Sequence, residues 1–254
     1  MNGLYNIPTE TRRSHDYGLV CVSRVEVVAL IVVSVGGSVI NPGEPDKKFL
    51  RELARVINKA QSTVQLAILA GGGRPARIYA GAITELGGSQ FLADKAAILA
   101  TRQNASLLIA ALGKSAWQSV PKTFEEAALS ASSGKIVVMG GTIPGITTDT
   151  DAALLAELLG AERVVNISNV DGIYTADPRK DASAKKISRM KFSELSELAS
   201  KGDTRKPGEN FIFDSFACKI IARSKIEAHF VGPGIEGIRA ALLGRKHTGT
   251  VVCD

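Results

Sequence analysis

Three apolar runs of this chain each end in a turn that begins with glycine, and this repeated pattern constrains the fold more than any other feature. The runs and their turns are 32–35 with 36–38, 66–70 with 71–73, and 136–139 with 140–142. Because glycine has no Cβ atom, backbone N–H groups in such a turn can approach an anion, and a following helix adds the positive end of its dipole. A further polar turn lies at 168–172. The pattern predicts a groove that binds several phosphates, as an enzyme of phosphoryl transfer requires.

The composition allows a large buried core. The chain has 254 residues, of which 45% are hydrophobic, enough for one large α/β domain or two small lobes. Its net charge is +6, but the basic residues are spread along the chain and form neither a dense block nor a platform with aromatic residues. We therefore expect a phosphorylated small molecule, and no nucleic acid, as the anionic partner.

The cysteines and the N-terminal segment bear on location. Cys21, Cys218 and Cys253 are an odd, scattered set without the spacing of metal ligands, which favours a reducing compartment and hence the cytoplasm. The apolar stretch 25–35 is too short to cross a bilayer and favours a central strand, so we expect no membrane anchor. Residues 1–24 are polar and without periodicity, which predicts a flexible tail.

Predicted strands and helices alternate along the rest of the chain. After the first strand, strands are expected at 64–70, 135–139, 163–167, 226–231 and 250–253, and helices after Asp46, around 92–112, at 149–159 and at 214–223. This alternation predicts an α/β fold, a three-layer α/β/α sandwich around a mostly parallel central sheet. The segment 171–208 is interpreted as an exposed excursion. We expect an N-terminal lobe of about 25–160 for one ligand and a C-terminal lobe of about 161–254 for another.

The glycine triplet also permits a different interpretation. Residues 71–76 satisfy the dinucleotide fingerprint G-x-G-x-x-A, and Asp94 lies about 20 residues further on. In a dinucleotide fold, however, the acidic residue ends the second strand, whereas Asp94 opens what we interpret as a helix. The glycines also follow the second strand instead of the first, and no Walker A motif is present. A plain tight turn is a further alternative, which the nearby Arg77 makes less favourable than ligand contact.

Taken together, the turns resemble those of the amino-acid kinase superfamily and, within it, of the archaeal-type uridylate kinases. The segments that carry the resemblance are 35–39, 71–77, 94–105, 138–149, 169–178 and 214–223, and the similarity extends over about 28–252. The resemblance implies the amino-acid kinase fold and the reaction of ATP with UMP to give ADP and UDP in pyrimidine nucleotide biosynthesis. It also implies Mg²⁺ as the cofactor that accompanies ATP, and a homohexamer.

The resemblance assigns roles to individual residues. Around UMP it places Gly71, Asp94, Thr142, Ile143, Pro144, Gly145, Ile146, Thr147 and Thr148. Around ATP it places Ser34, Val35, Gly36, Gly37, Ser38, Ser168, Asn169, Tyr174 and Asp177. Gly72 and Arg77 are assigned to the phosphates on both sides, and Arg77 and Lys219 to catalysis. The planar fork of Arg77 suits phosphate oxygens, and the Asp94 carboxylate can accept protons from ribose hydroxyls.

Three of these residues also have ordinary structural explanations. Asp94 could be a helix N-cap, Tyr174 could be core packing, and Lys219 could be a solvated lysine. These alternatives stay open at the level of sequence.

One position departs from the resemblance. Many relatives carry a lysine two residues before the first glycine turn, where its charge can contact the transferred phosphoryl group, whereas this chain has Ser34. Arg77, Lys219 and bound Mg²⁺ are the candidates for the missing positive charge. Because of Ser34, a non-enzymatic nucleotide-binding protein for storage or regulation stays an alternative. A sister kinase with another acceptor is a further alternative. Sister kinases for isopentenyl phosphate and fosfomycin are disfavoured because residues 74–79 contain no histidine.

Overall fold

The computed structural model describes residues 28–178, 181–202 and 213–254, which form helices and strands in alternation. The strands are β1 (Leu30–Val35), β2 (Gln65–Ala70), β3 (Val137–Met139), β4 (Arg163–Ile167), β5 (Ile173–Tyr174), β6 (Lys186–Ile187), β7 (Arg189–Met190), β8 (Glu227–Val231) and β9 (Thr250–Val252). The helices are α1 (Gly37–Ile40), α2 (Lys47–Ala60), α3 (Gly73–Glu85), α4 (Gln90–Leu112), α5 (Phe124–Ala131), α6 (Thr148–Leu159), α7 (Phe192–Gly202), α8 (Ser215–Ser224) and α9 (Ile235–Leu242).

Seven of the strands form one sheet in the order β3-β2-β1-β4-β8-β9-β7. Pairing is parallel from β3 through β8, and β9 is antiparallel to β8. The chain moves from β1 to β2 and β3 on one side, and β4 lies on the other side of β1. Ligands bind at such a reversal of strand order, outside the carboxyl ends of the strands. The three glycine turns and the turn at Ser168 all lie at this edge, which confirms the predicted clustering of turns.

The buried apolar side chains form one cluster on each face of the sheet. Ile31 and Val33 of β1 belong to the cluster with Leu53 of α2, whereas Val32 belongs to the cluster with Leu155 of α6. Successive residues of a strand point to opposite faces, so β1 is apolar on both sides. The predicted three-layer sandwich around a mostly parallel sheet is confirmed.

The helix boundaries confirm one predicted cap and correct another. Asp46 caps α2 and accepts a hydrogen bond from Phe49 N at 2.9 Å, as expected. The prediction that Asp94 opens a helix is wrong, because Ser89 caps α4 by accepting from Leu92 N at 3.3 Å. Ser89 has the extended backbone that an N-cap needs, and Asp94 lies inside the helix. The interpretation of Asp94 as an N-cap therefore fails.

The segment 171–208 contains more regular structure than expected. β5 and β6 form a separate antiparallel pair, β7 joins the edge of the main sheet beside β9, and α7 follows. These strands have only two residues each, too few for a pattern to be visible in the sequence. The predicted tail, 1–24, lies outside the described residues, and the division into two lobes stays a prediction.

Residues 90–115, which comprise α4 and the turn after it, are long and apolar enough to cross a membrane by length and composition. α4 nevertheless packs against α2 and α3, and its Asn104 and Thr101 bind the turns at the sheet edge. It is a core helix of the α/β domain.

Candidate active site

The first two glycine turns pack directly against each other at the ends of β1 and β2. The Gly71 N–H donates to the Val35 carbonyl at 2.9 Å, and a Cβ atom on Gly37 would lie 1.9 Å from the nitrogen of Gly73. Gly73 also has a φ of 66°, which favours glycine. Glycine is therefore needed here for two backbones to meet, a reason that the sequence interpretation missed. Contact of Gly36, Gly37 and Gly71 with phosphates stays a prediction.

Ser34 and Asp149 meet at the centre of this edge. The Ser34 hydroxyl donates to Asp149 Oδ1 at 3.0 Å, and Asn166 Nδ2 donates to the same oxygen at 3.1 Å. Ser34 in β1 and Asn166 in β4 are register partners across the reversal of strand order. Within the described residues, no hydrogen bond reaches the other oxygen, Oδ2 of Asp149. This oxygen is thus available to a ligand.

Neighbouring carboxylates make the surroundings of Asp149 negative. Desolvation by burial, followed by the charge of Asp214, raises the pKa of Asp149 to about 7, although the hydrogen bond from Ser34 lowers it. Burial, reinforced by Asp214 and Asp149, raises the pKa of Cys218 far above its ordinary value, so this thiol is unreactive at neutral pH. A cation in this place would favour ionised Asp149.

Asp214 fastens the start of α8 to the start of α6. Its carboxylate caps α8 by accepting from the N–H groups of Phe216 and Ala217 at 2.9 and 3.0 Å. The same carboxylate accepts from the hydroxyls of Thr147 and Thr150. Thr147, a predicted UMP residue, is also the N-cap of α6. The loop 142–148, which is assigned to UMP, therefore ends where these hydrogen bonds join α6 to α8.

α4 supplies hydrogen bonds to the turns assigned to UMP. Asn104 Nδ2 donates to the carbonyls of Gly71 and Gly72 at 2.7 and 3.1 Å. Asp94 Oδ2 accepts from the Gly145 N–H at 2.9 Å. The structure thus brings Asp94, the glycine triplet and the loop after β3 together along one helix.

The other residues of the predicted acceptor loop differ in exposure. Ile143 and Gly145 are exposed, whereas Pro144, Ile146 and Thr148 are partly buried. Thr142 Oγ1 donates to Asp151 Oδ1 at 2.5 Å. The loop therefore has exposed residues that a ligand can contact and one hydroxyl, that of Thr142, whose position Asp151 fixes.

The two predicted catalytic side chains, Arg77 and Lys219, are both exposed. Arg77 lies in α3 soon after the glycine triplet, and Lys219 lies in α8, five residues after Asp214. Neither forms a hydrogen bond or an ion pair within the part of the chain that the structure describes. Both charges are available there to an anionic ligand.

The residues assigned to ATP fall into two groups. Ser34 is buried, the Val35 side chain lies in the core, and Ser38 is partly exposed in α1, beside the first glycine turn. Val35 can therefore contact a ligand only through its backbone. In the second group, Ser168 closes a turn by accepting from Val170 N at 3.1 Å, and Asn169 in that turn is exposed.

Tyr174 and Asp177 belong to the second group as well. The Tyr174 hydroxyl donates to Asp171 Oδ1 at 2.7 Å, and Lys186 Nζ lies 2.8 Å from the other oxygen of Asp171. Tyr174 is partly exposed, so its alternative as core packing is wrong. Asp177 lies beyond β5 and is partly buried. Contact of these residues with the ATP nucleoside stays a prediction.

Several side chains that hold the site were missed at the level of sequence. Asp149, Asp214 and Asn104 lie in segments that carry the resemblance, but the resemblance gives them no role, and no motif includes Asn166 or Asp151. One signal was available, because Asn166 is the single uncharged polar residue in the apolar run of β4. The pairing of Asp149 with Ser34 joins residues 115 positions apart, which no local pattern reveals.

The profile of the Amino acid kinase family matches residues 29–232. The chain belongs to this family. It is 41% identical to the uridylate kinase of Pyrococcus abyssi over 222 residues, which span 87% of this chain and 98% of that protein. It is 43% identical to the uridylate kinase of Archaeoglobus fulgidus, over 87% of this chain and 99% of that protein.

Solved structures agree with this membership of the amino acid kinase family. The crystal structure of the Archaeoglobus fulgidus uridylate kinase matches with a TM-score of 0.79 and 39% identity, covering 89% of this chain and 100% of that chain. The UMP kinase of Bacillus anthracis, at 20% identity and a TM-score of 0.73, shares the fold. The resemblance inferred from the glycine turns is confirmed.

Proposed function

We infer that this protein is a uridylate kinase, which transfers the γ-phosphoryl group of ATP to UMP and forms ADP and UDP. The observation that carries this inference is the 41% identity to the Pyrococcus abyssi uridylate kinase over 98% of its length. The geometry of the sheet edge supports it, because turns suited to two nucleotides lie side by side at one reversal of strand order.

Phosphoryl transfer between nucleotides depends on alignment and on neutralisation of charge. The acceptor is a phosphate oxygen, which is already ionised, so the reaction needs no general base. Asn104 and Asp94 fix the turns that would hold UMP. Arg77 would bind phosphate oxygens with its planar fork, and Lys219 would stabilise the charge that gathers on the transferred group. Ser34 contributes a neutral hydrogen bond to Asp149 instead of a charge.

Mg²⁺ is the proposed divalent cation of the reaction. No group of three His, Cys, Asp or Glu side chains that could hold a metal ion occurs among the described residues. This suits Mg²⁺, which is usually held by substrate phosphates with one or two carboxylates. Asp149 Oδ2 fits that requirement, since no described group donates to it. When bound, the cation neutralises negative charge on the phosphates.

A cytoplasmic homo-oligomer, a hexamer by resemblance, completes the proposal. Large apolar side chains are exposed on α3, α4 and the turn between them, namely Ile78, Tyr79, Leu86, Phe91, Leu92 and Leu99. Exposed apolar surface of this kind marks sites of protein association. Light scattering would give the mass of the assembly, and a monomer at micromolar concentration would contradict this part of the proposal.

An acceptor panel tests the activity. ADP release from ATP is coupled to a spectrophotometric assay, with UMP, CMP, dTMP and non-nucleotide phosphates as acceptors. We expect kcat/KM to be highest for UMP. A clear preference for a non-nucleotide acceptor would favour a sister kinase. Tight binding of both nucleotides without turnover would favour a storage or regulatory protein.

A further inference from the structure

In the turn after β3, side chains form hydrogen bonds with the backbone N–H and the carbonyl of both Gly141 and Thr142. The Gly141 N–H donates to Thr101 Oγ1 at 2.7 Å, and the Thr142 N–H donates to Asp151 Oδ2 at 3.2 Å. The carbonyls of Gly141 and Thr142 accept from Arg102 Nε and Nη2, both at 3.2 Å. The shape of this turn is therefore set by α4, through Thr101 and Arg102, and by α6, through Asp151.

Asp151 makes two of the contacts that orient Thr142. The residue is 1% exposed, and its two oxygens accept separately from the N–H and the hydroxyl of Thr142. Both oxygens of the Asp151 side chain therefore act as hydrogen-bond acceptors toward Thr142.

The Asp151 side chain fixes the direction of the Thr142 hydroxyl. This hydroxyl donates its one proton to Asp151, so its oxygen can only accept a hydrogen bond from a ligand. Thr142 is partly exposed, so a ligand can reach it. A ligand group that meets this oxygen must be a donor, such as the N–H of a uracil ring or a ribose hydroxyl.

We propose that Asp151 is a positioning residue for the acceptor nucleotide, which fixes the turn at Gly141 and Thr142 and presents the Thr142 hydroxyl as a hydrogen-bond acceptor. The inference rests on the proposed uridylate kinase function, because that function places UMP at this turn. It concerns the acceptor side alone. Loss of Asp151 should therefore weaken the use of UMP and leave the use of ATP unchanged.

The test is the variant Asp151→Asn, assayed at pH 8, where the UMP phosphate is ionised. The amide has nearly the same shape but can accept through only one of its two polar atoms. We expect KM for UMP to rise about tenfold, as for the loss of one hydrogen bond to a charged group, with KM for ATP within twofold of the parent. Asp46→Asn is the matched control, because asparagine caps α2 as well as aspartate does.

An unchanged KM for UMP in folded Asp151→Asn, or an equal rise of both KM values, would overturn the inference. If that variant does not fold, Thr142→Val provides the same test, because it removes the hydroxyl and keeps the N–H. If the parent does not phosphorylate UMP, the proposed function fails by itself. In that case calorimetric titration with UMP decides the inference, which requires weaker binding to Asp151→Asn than to the parent.

Discussion

Ser34 shows how a single residue changes the chemistry of this edge. Its hydroxyl shares Asp149 Oδ1 with Asn166, so the carboxylate is held by two neutral donors and no described cation. A neutral donor offsets less negative charge than a lysine would, which agrees with the raised pKa of Asp149. At the residue scale, the proposed phosphoryl transfer therefore requires positive charge from elsewhere, and the proposal assigns this role to Arg77, Lys219 and a divalent cation.

Replacing Arg77 tests the acceptor phosphate contact. Arg77→Ala should raise KM for UMP by roughly 10- to 100-fold, because a charge-assisted hydrogen bond is lost, and should raise KM for ATP much less. Arg77→Lys should not restore the loss, since lysine lacks the planar fork. Steady-state kinetics with each substrate varied in turn is the measurement. Equal effects on the two KM values would contradict a contact between Arg77 and the UMP phosphate.

Replacing Asp94 tests the ribose contact. Asp94→Asn keeps the volume of the side chain and its position in α4, but loses the charge that accepts from Gly145 N–H and, by proposal, from ribose hydroxyls. We expect UMP binding measured by calorimetry to weaken about tenfold at an unchanged melting temperature. Binding as tight as that of the parent would leave Asp94 with its structural contact to the loop alone.

Asp149 predicts a pH dependence of stability. Its folded pKa of about 7 lies above the ordinary value of 3.8, so the native state binds more protons than the unfolded state between these values. The free energy of unfolding that Asp149 contributes therefore falls as pH rises through this window. Asp149→Asn has no charge at this position, so it should increase the free energy of unfolding by roughly 2–4 kcal/mol at pH 8. It should also raise the melting temperature there by several degrees.

The measurement for Asp149 is calorimetry of the ligand-free protein at pH 5 and pH 8, with Asp46→Asn as the control. The gain from Asp149→Asn should be large at pH 8 and small at pH 5, where the parent carboxyl is already neutral. A loss of stability at pH 8 would show that the ionised carboxylate is stabilising.

At the scale of elements, the sequence predicts what depends on local pattern. The positions of β1, β2, β3, β4 and β8 followed from apolar runs, and the turns after the first four of them from glycine and polar residues. The helix start at Asp94 was misplaced because Ser89, five residues earlier, meets the requirement of an N-cap better.

The contacts between elements could not be predicted from the sequence. Asp151 with Thr142, Asp214 with Thr147 and Asn104 with Gly71 each join different secondary structures. Such pairs depend on strand order and helix packing, which a local pattern does not contain. The glycines at 37 and 73 illustrate the limit, because packing of two turns requires them whether or not a phosphate binds.

At the scale of the whole molecule, the segment 1–24 should be dispensable. Its sequence has no apolar periodicity, and the Archaeoglobus fulgidus structure is matched over 100% of its length by 89% of this chain. We expect removal of 1–24 to change the melting temperature by less than about 2 °C, as for surface changes, and kcat by less than about twofold. A large loss of either would show that the tail completes a site or an interface.

The central claim is that this chain transfers a phosphoryl group from ATP to UMP with Lys219 in place of a lysine at Ser34. Phosphorus NMR of one reaction with ATP, UMP and Mg²⁺ measures it directly, with Lys219→Ala as the comparison. We expect the parent to form ADP and UDP in equal amounts, and Lys219→Ala to lower kcat and kcat/KM together by roughly 100-fold or more, at unchanged substrate affinity and melting temperature. Full activity of Lys219→Ala would contradict the role of the lysine, and a parent that binds both nucleotides but forms no UDP would contradict the claim itself.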